Sequence, residues 1–98
     1  MPQLSLDRYV VDVLMRDLIG HDRTPAAFVV WLWLWRHSHG EGRARVGASL
    51  QTIATGTGLS KSAVQAAVRN LKRRQLVSAE RSGPTSAPVY TVLQPWRR

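Results

Sequence analysis

The first element that the hydrophobic pattern predicts is a helix over residues 5–20. Its apolar side chains recur with helical spacing, and most of the charged side chains lie off that stripe. The apolar residues are Leu6, Tyr9, Val10, Val13, Leu14 and Leu18. We expect Gly20 to end the helix, because glycine is common just after a helix C-terminus.

A second and more apolar helix is predicted over residues 24–39. Thr24 is its expected N-cap, and Pro25 suits the first helical position, where the missing N–H costs nothing. The run Ala26–Trp35 is apolar on every side, which predicts burial on every side. The first helix or a second subunit would supply the cover.

Residues 49–75 have the pattern of two helices joined by a tight turn. Ser49 and Ser60 are the expected N-caps, and Gly58 ends the first helix in the left-handed conformation that glycine adopts at little cost. Ala54 is the small residue needed where two steeply crossing helices touch. The predicted inward residues are Leu50, Ile53, Ala54, Leu59, Val64, Ala67, Val68 and Leu71.

The last part of the chain, residues 76–94, is predicted to form a β-hairpin. Leu76–Glu80 and Val89–Leu93 are short β-prone runs, and the Gly-, Pro- and Ser-containing run Arg81–Pro88 separates them. Arg43–Val46 is a candidate for one more short strand. The pattern leaves open whether residues 96–98 pack back on the core or extend from it.

The composition of the chain narrows its class. Its 98 residues suit a single domain with a modest core, residues 1–98. The absence of cysteine excludes a disulfide framework, a thiolate zinc site and a cysteine nucleophile. The longest apolar run is about half as long as a membrane span requires, and the start of the chain lacks the layout of a secretory signal. We therefore expect a cytoplasmic protein with no membrane partner.

The net charge of +8 is carried entirely by the C-terminal part of the chain. Basic and acidic residues balance in residues 1–40, whereas basic residues greatly outnumber acidic ones in residues 41–98. Such asymmetry is typical of a protein that turns one face to a polyanion. Nucleic acid is the favoured partner, and an anionic membrane surface is the second choice.

The stretch VGASLQTIATGTGLSKSAVQAAVRNLKRRQLV resembles the winged helix-turn-helix families of bacterial regulators and replication initiators. The resemblance covers roughly residues 24–94 and is strongest over 49–77. It implies a mainly α fold with a small β-hairpin wing, built as a three-helix core plus an N-terminal helix. Gln75 departs from the family pattern, which usually has glycine before the strand, and can adopt the needed turn only at some cost.

The resemblance also implies which residues contact DNA. The outward face of the helix that starts at Ser60 carries side chains suited to base edges in a major groove: Lys61, Ser62, Gln65, Ala66 and Arg69. Phosphate or wing contacts are expected from Ser49, Thr52, Ser60, Lys72, Arg73, Arg74 and Arg81. The alternative is that these residues are only the solvated face of an amphipathic helix and an ordinary surface hairpin.

No pattern in the sequence indicates catalysis. There is no paired-carboxylate site, no glycine-rich phosphate loop followed by lysine, and no nucleophile beside a base. Gly56-Thr57-Gly58 is explained as the turn between the two helices. His37 and His39 lack a third ligand nearby and are predicted to form a polar helix end, not a metal site. We expect no enzyme activity, no cofactor, no metal and no small-molecule ligand.

The expected function is sequence-preferring binding to double-stranded DNA, as a transcriptional regulator of the bacterial nucleoid. A homodimer through the N-terminal helices would explain the surplus apolar surface and predicts an inverted-repeat site. The same resemblance permits a plasmid or phage replication or partition initiator. Two alternatives come from other classes, namely a protein-docking module that uses the winged fold and an RNA-binding protein.

Overall fold

A computed structural model describes residues 3–97, so Arg98, which the sequence left unassigned, lies outside the described residues. The chain begins with a helical segment over residues 8–21, which contains two π-helical stretches, Val10–Leu14 and Asp17–His21. The elements that follow are α1 (Pro25–His37), a 3₁₀ turn (His39–Glu41), β1 (Arg45–Gly47), α2 (Leu50–Thr57), α3 (Lys61–Arg73), β2 (Val77–Glu80) and β3 (Val89–Val92).

The caps of α2 and α3 form as their sequences predict. The hydroxyl of Ser49 accepts the backbone N–H of Thr52 at 3.0 Å, and that of Ser60 accepts the N–H of Ala63 at 3.1 Å. Each bond satisfies one of the N–H groups that a helix start leaves without a partner. Gly58 follows α2 with φ +81° and donates its N–H to the carbonyl of Ala54. These local bonds fix the tight turn between the two helices.

The N-terminal segment differs from its prediction at both ends. It starts at residue 8 instead of 5, and Gly20 does not end it, because its second π-helical stretch continues to His21. The left-handed residue that ends the segment is Arg23, with φ +55°. The N–H of Thr24 then reaches back to the carbonyl of Leu18 at 2.8 Å. Glycine alone was therefore a misleading stop signal here.

The inward face of the N-terminal segment is narrower than predicted. Val10, Leu14 and Leu18 are buried, and Val13 is half-buried. Leu6 and Tyr9 remain exposed. Leu6 precedes the helix, which explains why helical spacing did not place it in the core.

Helix α1 confirms its predicted proline start but not its predicted cap. Pro25 occupies the first turn, whereas the hydroxyl of Thr24 donates to the Asp22 carbonyl at 2.9 Å and does not cap α1. The expectation of burial on every side is wrong. Val29 is 39% exposed and Leu32 is half-buried, because the packed neighbours cover only part of the helix.

Helices α1 and α2 approach closely at Gly56. A Cβ at this position would occupy the space of the Trp33 indole, so only glycine fits without movement of the ring. Gly56 lies inside α2, and only Gly58 forms the left-handed turn that was predicted for the whole Gly-Thr-Gly run. This close approach covers part of the Trp33 ring, which is half-buried.

The core contains a group of aromatic rings that joins the two ends of the chain. Trp31 is fully buried and stacks on Trp35, with ring centroids 5.2 Å apart. Trp96 packs back on this group and stacks on Tyr9 at 4.6 Å. The carboxylate of Asp7 accepts bonds from the Trp96 indole N–H at 3.0 Å and from Arg97 at 2.6 Å. Residues 96–97 are therefore ordered against the N-terminal segment.

The three strands form one antiparallel sheet in the order β1-β3-β2. Tyr90 of β3 pairs with Val46 on one side and Ala79 on the other, and its side chain is buried. The β2–β3 hairpin corresponds to the predicted wing. The third strand, β1, was a candidate over Arg43–Val46 and begins two residues later, at Arg45. This mainly α arrangement with a small sheet confirms the predicted fold class.

Backbone strain at Gln75 generates a stability prediction. Gln75 has a left-handed φ of +57°. Its N–H donates to the Lys72 carbonyl, and the N–H of Leu76 donates to the Leu71 carbonyl. These two bonds form a Schellman motif, a helix ending in which the left-handed residue is usually glycine. We expect Gln75→Gly to raise the free energy of unfolding by about 0.5–1 kcal/mol, because it relieves the left-handed strain.

Urea denaturation followed by circular dichroism measures this change. The matched control is Gly58→Ala, since a Cβ at Gly58 meets nothing within 4 Å and only the backbone is strained. This control should lose about 1 kcal/mol. A stability loss in Gln75→Gly would show that the glutamine side chain stabilises the turn.

Candidate nucleic-acid interface

One face of α3 turns a continuous set of mostly polar residues to solvent. At the α-helical rotation of about 100° per residue, seven exposed residues lie within an arc of about 140°. They are Lys61, Ser62, Gln65, Ala66, Arg69, Lys72 and Arg73. The opposite arc is buried and contains Val64, Ala67, Val68, Asn70 and Leu71. All five residues predicted to contact base edges therefore share one exposed face.

Packing against α1 and α2 sets the orientation of this face. Val64, Ala67 and Leu71 are fully buried, and α3 contacts both of the earlier helices. A rotation of α3 that brought Gln65 inward would expose this apolar stripe to water, which costs about 25 cal/mol per Å² of apolar surface. The outward direction of Lys61, Gln65 and Arg69 is thus a consequence of the core.

Ion pairing concentrates unbalanced positive charge on α3. In residues 3–97, acidic side chains pair with Arg16, Arg36, Arg45, Arg74 and Arg97. The basic side chains with no such partner in this range are Arg8, Arg23, Arg43, Lys61, Arg69, Lys72, Arg73 and Arg81. Half of them lie on α3, which contains no acidic residue. This helix is therefore a site of positive potential.

The residues predicted to contact phosphate lie in several places. Ser49 and Ser60 are cap residues whose hydroxyl oxygens accept backbone N–H groups, and the hydroxyl of Thr52 lies 2.9 Å from that of Ser49. Thr52 and Ser60 are exposed, and Ser49 is half-buried. Arg81 is exposed just after β2, at the start of the hairpin loop.

Arg74 differs from the other basic residues at the end of α3. Its Nε donates to Asp22 Oδ2 at 2.9 Å, and its guanidinium also lies 3.8 Å from Asp17. It therefore holds the N-terminal segment against α3, which reduces its capacity to bind phosphate. Arg73 donates to the side-chain oxygen of Asn70, whereas Lys72 forms no ion pair within residues 3–97.

Asp22 is a central residue that the sequence analysis did not identify. Its Oδ2 accepts the side-chain N–H of Asn70 at 3.1 Å as well as Arg74, and its Oδ1 lies 2.8 Å from the His21 ring nitrogen. Its side chain is 7% exposed. Burial raises the pKa of Asp22, but the hydrogen bonds from His21, Asn70 and Arg74 outweigh that effect and hold the pKa below its usual value.

Comparison with known proteins identifies the family. A family model described as a helix-turn-helix domain matches residues 24–77, more than half of the chain. The chain belongs to this helix-turn-helix domain family. No curated protein and no solved structure matches the chain significantly. Members of this class bind DNA through the second helix of the motif, which here is α3.

The matched region of the helix-turn-helix domain contains α1, β1, α2 and α3 and stops at the first residue of β2. The N-terminal segment and most of the hairpin lie outside it. Within residues 3–97, no group of three or more His, Asp or Glu side chains is placed to hold a metal ion. No helix in that same range is both long and apolar enough to cross a bilayer.

The Asp22 contacts predict how stability depends on pH. The pKa of Asp22 is lowered in the folded chain, so its contribution to stability is present above the ordinary carboxyl pKa near 3.8 and is lost as the pH falls through the folded value. We expect the urea midpoint to be steady near neutral pH and to fall below about pH 4.

Asp22→Asn is the comparison variant for this measurement. It should be less stable than the parent at pH 6, because the bond to the Arg74 guanidinium loses its charge, and it should lose less stability on acidification. Asp7 accounts for part of the remaining pH dependence. Its pKa is also lowered, mainly by the hydrogen bond from Arg97 and to a smaller extent by the hydrogen bond from Trp96. Identical pH profiles for both proteins would contradict the role given to Asp22.

Proposed function

We propose that this domain binds double-stranded DNA with a preference for sequence, and that α3 lies in the major groove. The observation that carries the proposal is the exposed arc of α3, which combines positive charge with side chains able to bond base edges. A helix has the right width for the major groove, where each base pair presents a distinct set of donors and acceptors.

Three residues of the arc are assigned to sequence preference. Lys61, Gln65 and Arg69 are spaced four residues apart, so they project from successive turns of the same face. Glutamine can form two hydrogen bonds with adenine, and lysine or arginine can bond guanine. Ser62 and Ala66 complete the face, and the small Ala66 allows the helix to approach a thymine methyl group.

The surrounding hydroxyl and basic groups are assigned to the phosphate backbone. Ser49, Thr52 and Ser60 lie at helix starts, where backbone N–H groups and the helix dipole also favour anions. Lys72 and Arg73 would contact phosphates beside α3, and Arg81 would extend the contact to the wing. Arg74 is assigned a structural role because of its bond to Asp22.

The cellular role that we propose is transcriptional regulation at the bacterial nucleoid, in the cytoplasm. A plasmid or phage replication or partition initiator is the alternative within the same class, since repeated origin sites can be bound by the same module. Binding, not catalysis, is the activity proposed in both cases. The two roles differ in where the bound sites lie, upstream of genes or in an origin.

Two other classes of function receive less support. RNA binding usually uses exposed aromatic rings for base stacking, but Trp31 and Trp35 are buried here, and Trp33 and Trp96 are half-buried. A protein-docking module has no need for the unbalanced charge of α3. Both alternatives remain outcomes of the binding experiment.

The apolar surface available for the proposed homodimer is smaller than the sequence predicts. Much of the apolar surplus of α1 is covered within the chain, since Val30 and Leu34 are fully buried. Within residues 3–97, the large apolar side chains left exposed to support a contact between subunits are Leu4, Leu6, Tyr9, Val11, Ile19 and Val29, of which Val11 is the most exposed at 52%. The dimer stays a prediction, and an inverted repeat in the preferred DNA site would support it.

The experiment for the proposed function selects preferred sites from a random duplex pool and then titrates the selected duplex at several salt concentrations. With about five phosphate contacts, the log–log slope of affinity against salt should be roughly −4 to −5. Gln65→Ala should lose about 1–3 kcal/mol at the selected site and relax the preference at one base pair.

Lys72→Ala is the matched control, because it lies on the same arc but is assigned to phosphate. It should weaken binding to all sequences alike and reduce the magnitude of the salt slope by about 0.9. A uniform loss in both variants would show that the base-contacting face has been assigned wrongly. Absence of duplex binding at low salt would favour the docking module, and preference for single-stranded RNA would favour the RNA-binding alternative.

A further inference from the structure

Arg23 is an exposed basic residue that lies outside the helix-turn-helix and has no assigned role. It follows the N-terminal segment and precedes α1, and it forms no ion pair within residues 3–97. The neighbouring carboxylate of Asp22 does not hold it, because that group already binds Asn70 and Arg74. The guanidinium of Arg23 is therefore directed to solvent without a neutralising partner.

Asp22 fixes the backbone next to Arg23 against α3. Asn70, the α3 residue that Asp22 contacts, is buried at the boundary between the inward and outward arcs of the helix. Its neighbours on the surface of α3, one helical turn away in each direction, are Ala66 and Arg73. Both belong to the exposed arc. The loop at residues 22–24 consequently borders the face proposed to contact DNA.

The conformation of Arg23 is costly for an arginine. A φ of +55° is left-handed, a conformation that costs an L-residue roughly 1–2 kcal/mol and that glycine adopts freely. The N–H of the next residue, Thr24, closes the turn onto Leu18, so the conformation is imposed by the end of the N-terminal segment. Within residues 3–97, the arginine side chain forms no hydrogen bond or ion pair that would offset this cost.

These observations lead to one assignment. We propose that Arg23 contacts a DNA phosphate at the side of α3, from outside the matched helix-turn-helix region. The inference rests on the proposed DNA-binding function and adds a phosphate contact on the edge of the arc marked by Ala66 and Arg73. Asp22 acts as the positioning residue, because its bonds to Asn70 and Arg74 hold the loop in place.

Arg23→Gly separates a binding role from a structural one. Glycine removes the charge and also relieves the left-handed strain, so the variant should be at least as stable as the parent in urea. Its affinity for the selected duplex should fall about five- to tenfold at 0.1 M salt, and the magnitude of the salt slope should decrease by about 0.9. Loss of binding together with unchanged or increased stability is not expected of a structural residue.

Three matched variants complete the experiment. Arg23→Lys should keep the slope of the parent, because it keeps the charge. Gln75→Gly relieves the same kind of strain without a charge change and should bind like the parent. Arg8→Ala removes a positive charge at the far end of the N-terminal segment, next to Asp7, and should leave the slope unchanged.

The outcomes distinguish this inference from the proposed function. If the parent binds duplex with a steep salt slope and Arg23→Gly has the same slope, the phosphate contact is wrong and the function stands. If Arg23→Gly loses stability in parallel with affinity, Arg23 is structural and the inference is again overturned. If the parent binds no duplex at low salt, the proposed function itself fails.

Discussion

Burial of Val64, Ala67 and Leu71 against α1 and α2 determines how the domain presents its charged surface. It fixes the rotation of α3 about its own axis and so determines which side chains face solvent. The turn at Gly58 contributes by setting where α3 begins relative to α2. A binding surface whose geometry is determined by the core needs no rearrangement of the helix before it meets its partner, which lowers the entropic cost of association.

The distribution of charge follows from a second constraint, the use of acidic residues inside the fold. Asp7 joins the N-terminal segment to the residues after β3, and Asp22 joins the same segment to the end of α3. These carboxylates neutralise arginines that hold the chain together. The basic residues left over are concentrated on α3, so internal ion pairing sharpens the potential of the proposed interface.

The parts of the fold that sequence predicts well are those set by neighbours in the chain. The caps at Ser49 and Ser60 and the left-handed turn at Gly58 are local, and their residue types indicate them directly. The predicted cap at Thr24 and the predicted stop at Gly20 are wrong, and both lie beside a residue that has long-range contacts. Asp22, whose backbone carbonyl accepts the Thr24 hydroxyl, bonds Asn70 across 48 residues of sequence, and no local pattern contains that contact.

The DNA-contacting surface, too, is predictable from sequence only where it follows from local patterns. The exposed face of α3 is predictable because it is the complement of an apolar stripe, but the structural role of Arg74 and the position of Arg23 depend on long-range contacts of Asp22. Gly56 is a further case, because the Trp33 indole on another helix leaves no space for a side chain at position 56. Residue type alone assigned Arg74 to the phosphate contacts and Gly56 to the turn, and it assigned no role to Arg23.

Backbone amide chemical shifts, recorded by NMR during titration with a selected duplex, show which helix lies against DNA. We expect the largest changes in residues 61–73 and at the start of α2, with smaller changes near residue 81 and in the loop at residues 22–24. Changes confined to the N-terminal segment or to the strands, with the amides of α3 unaffected, would contradict the placement of α3 in the major groove.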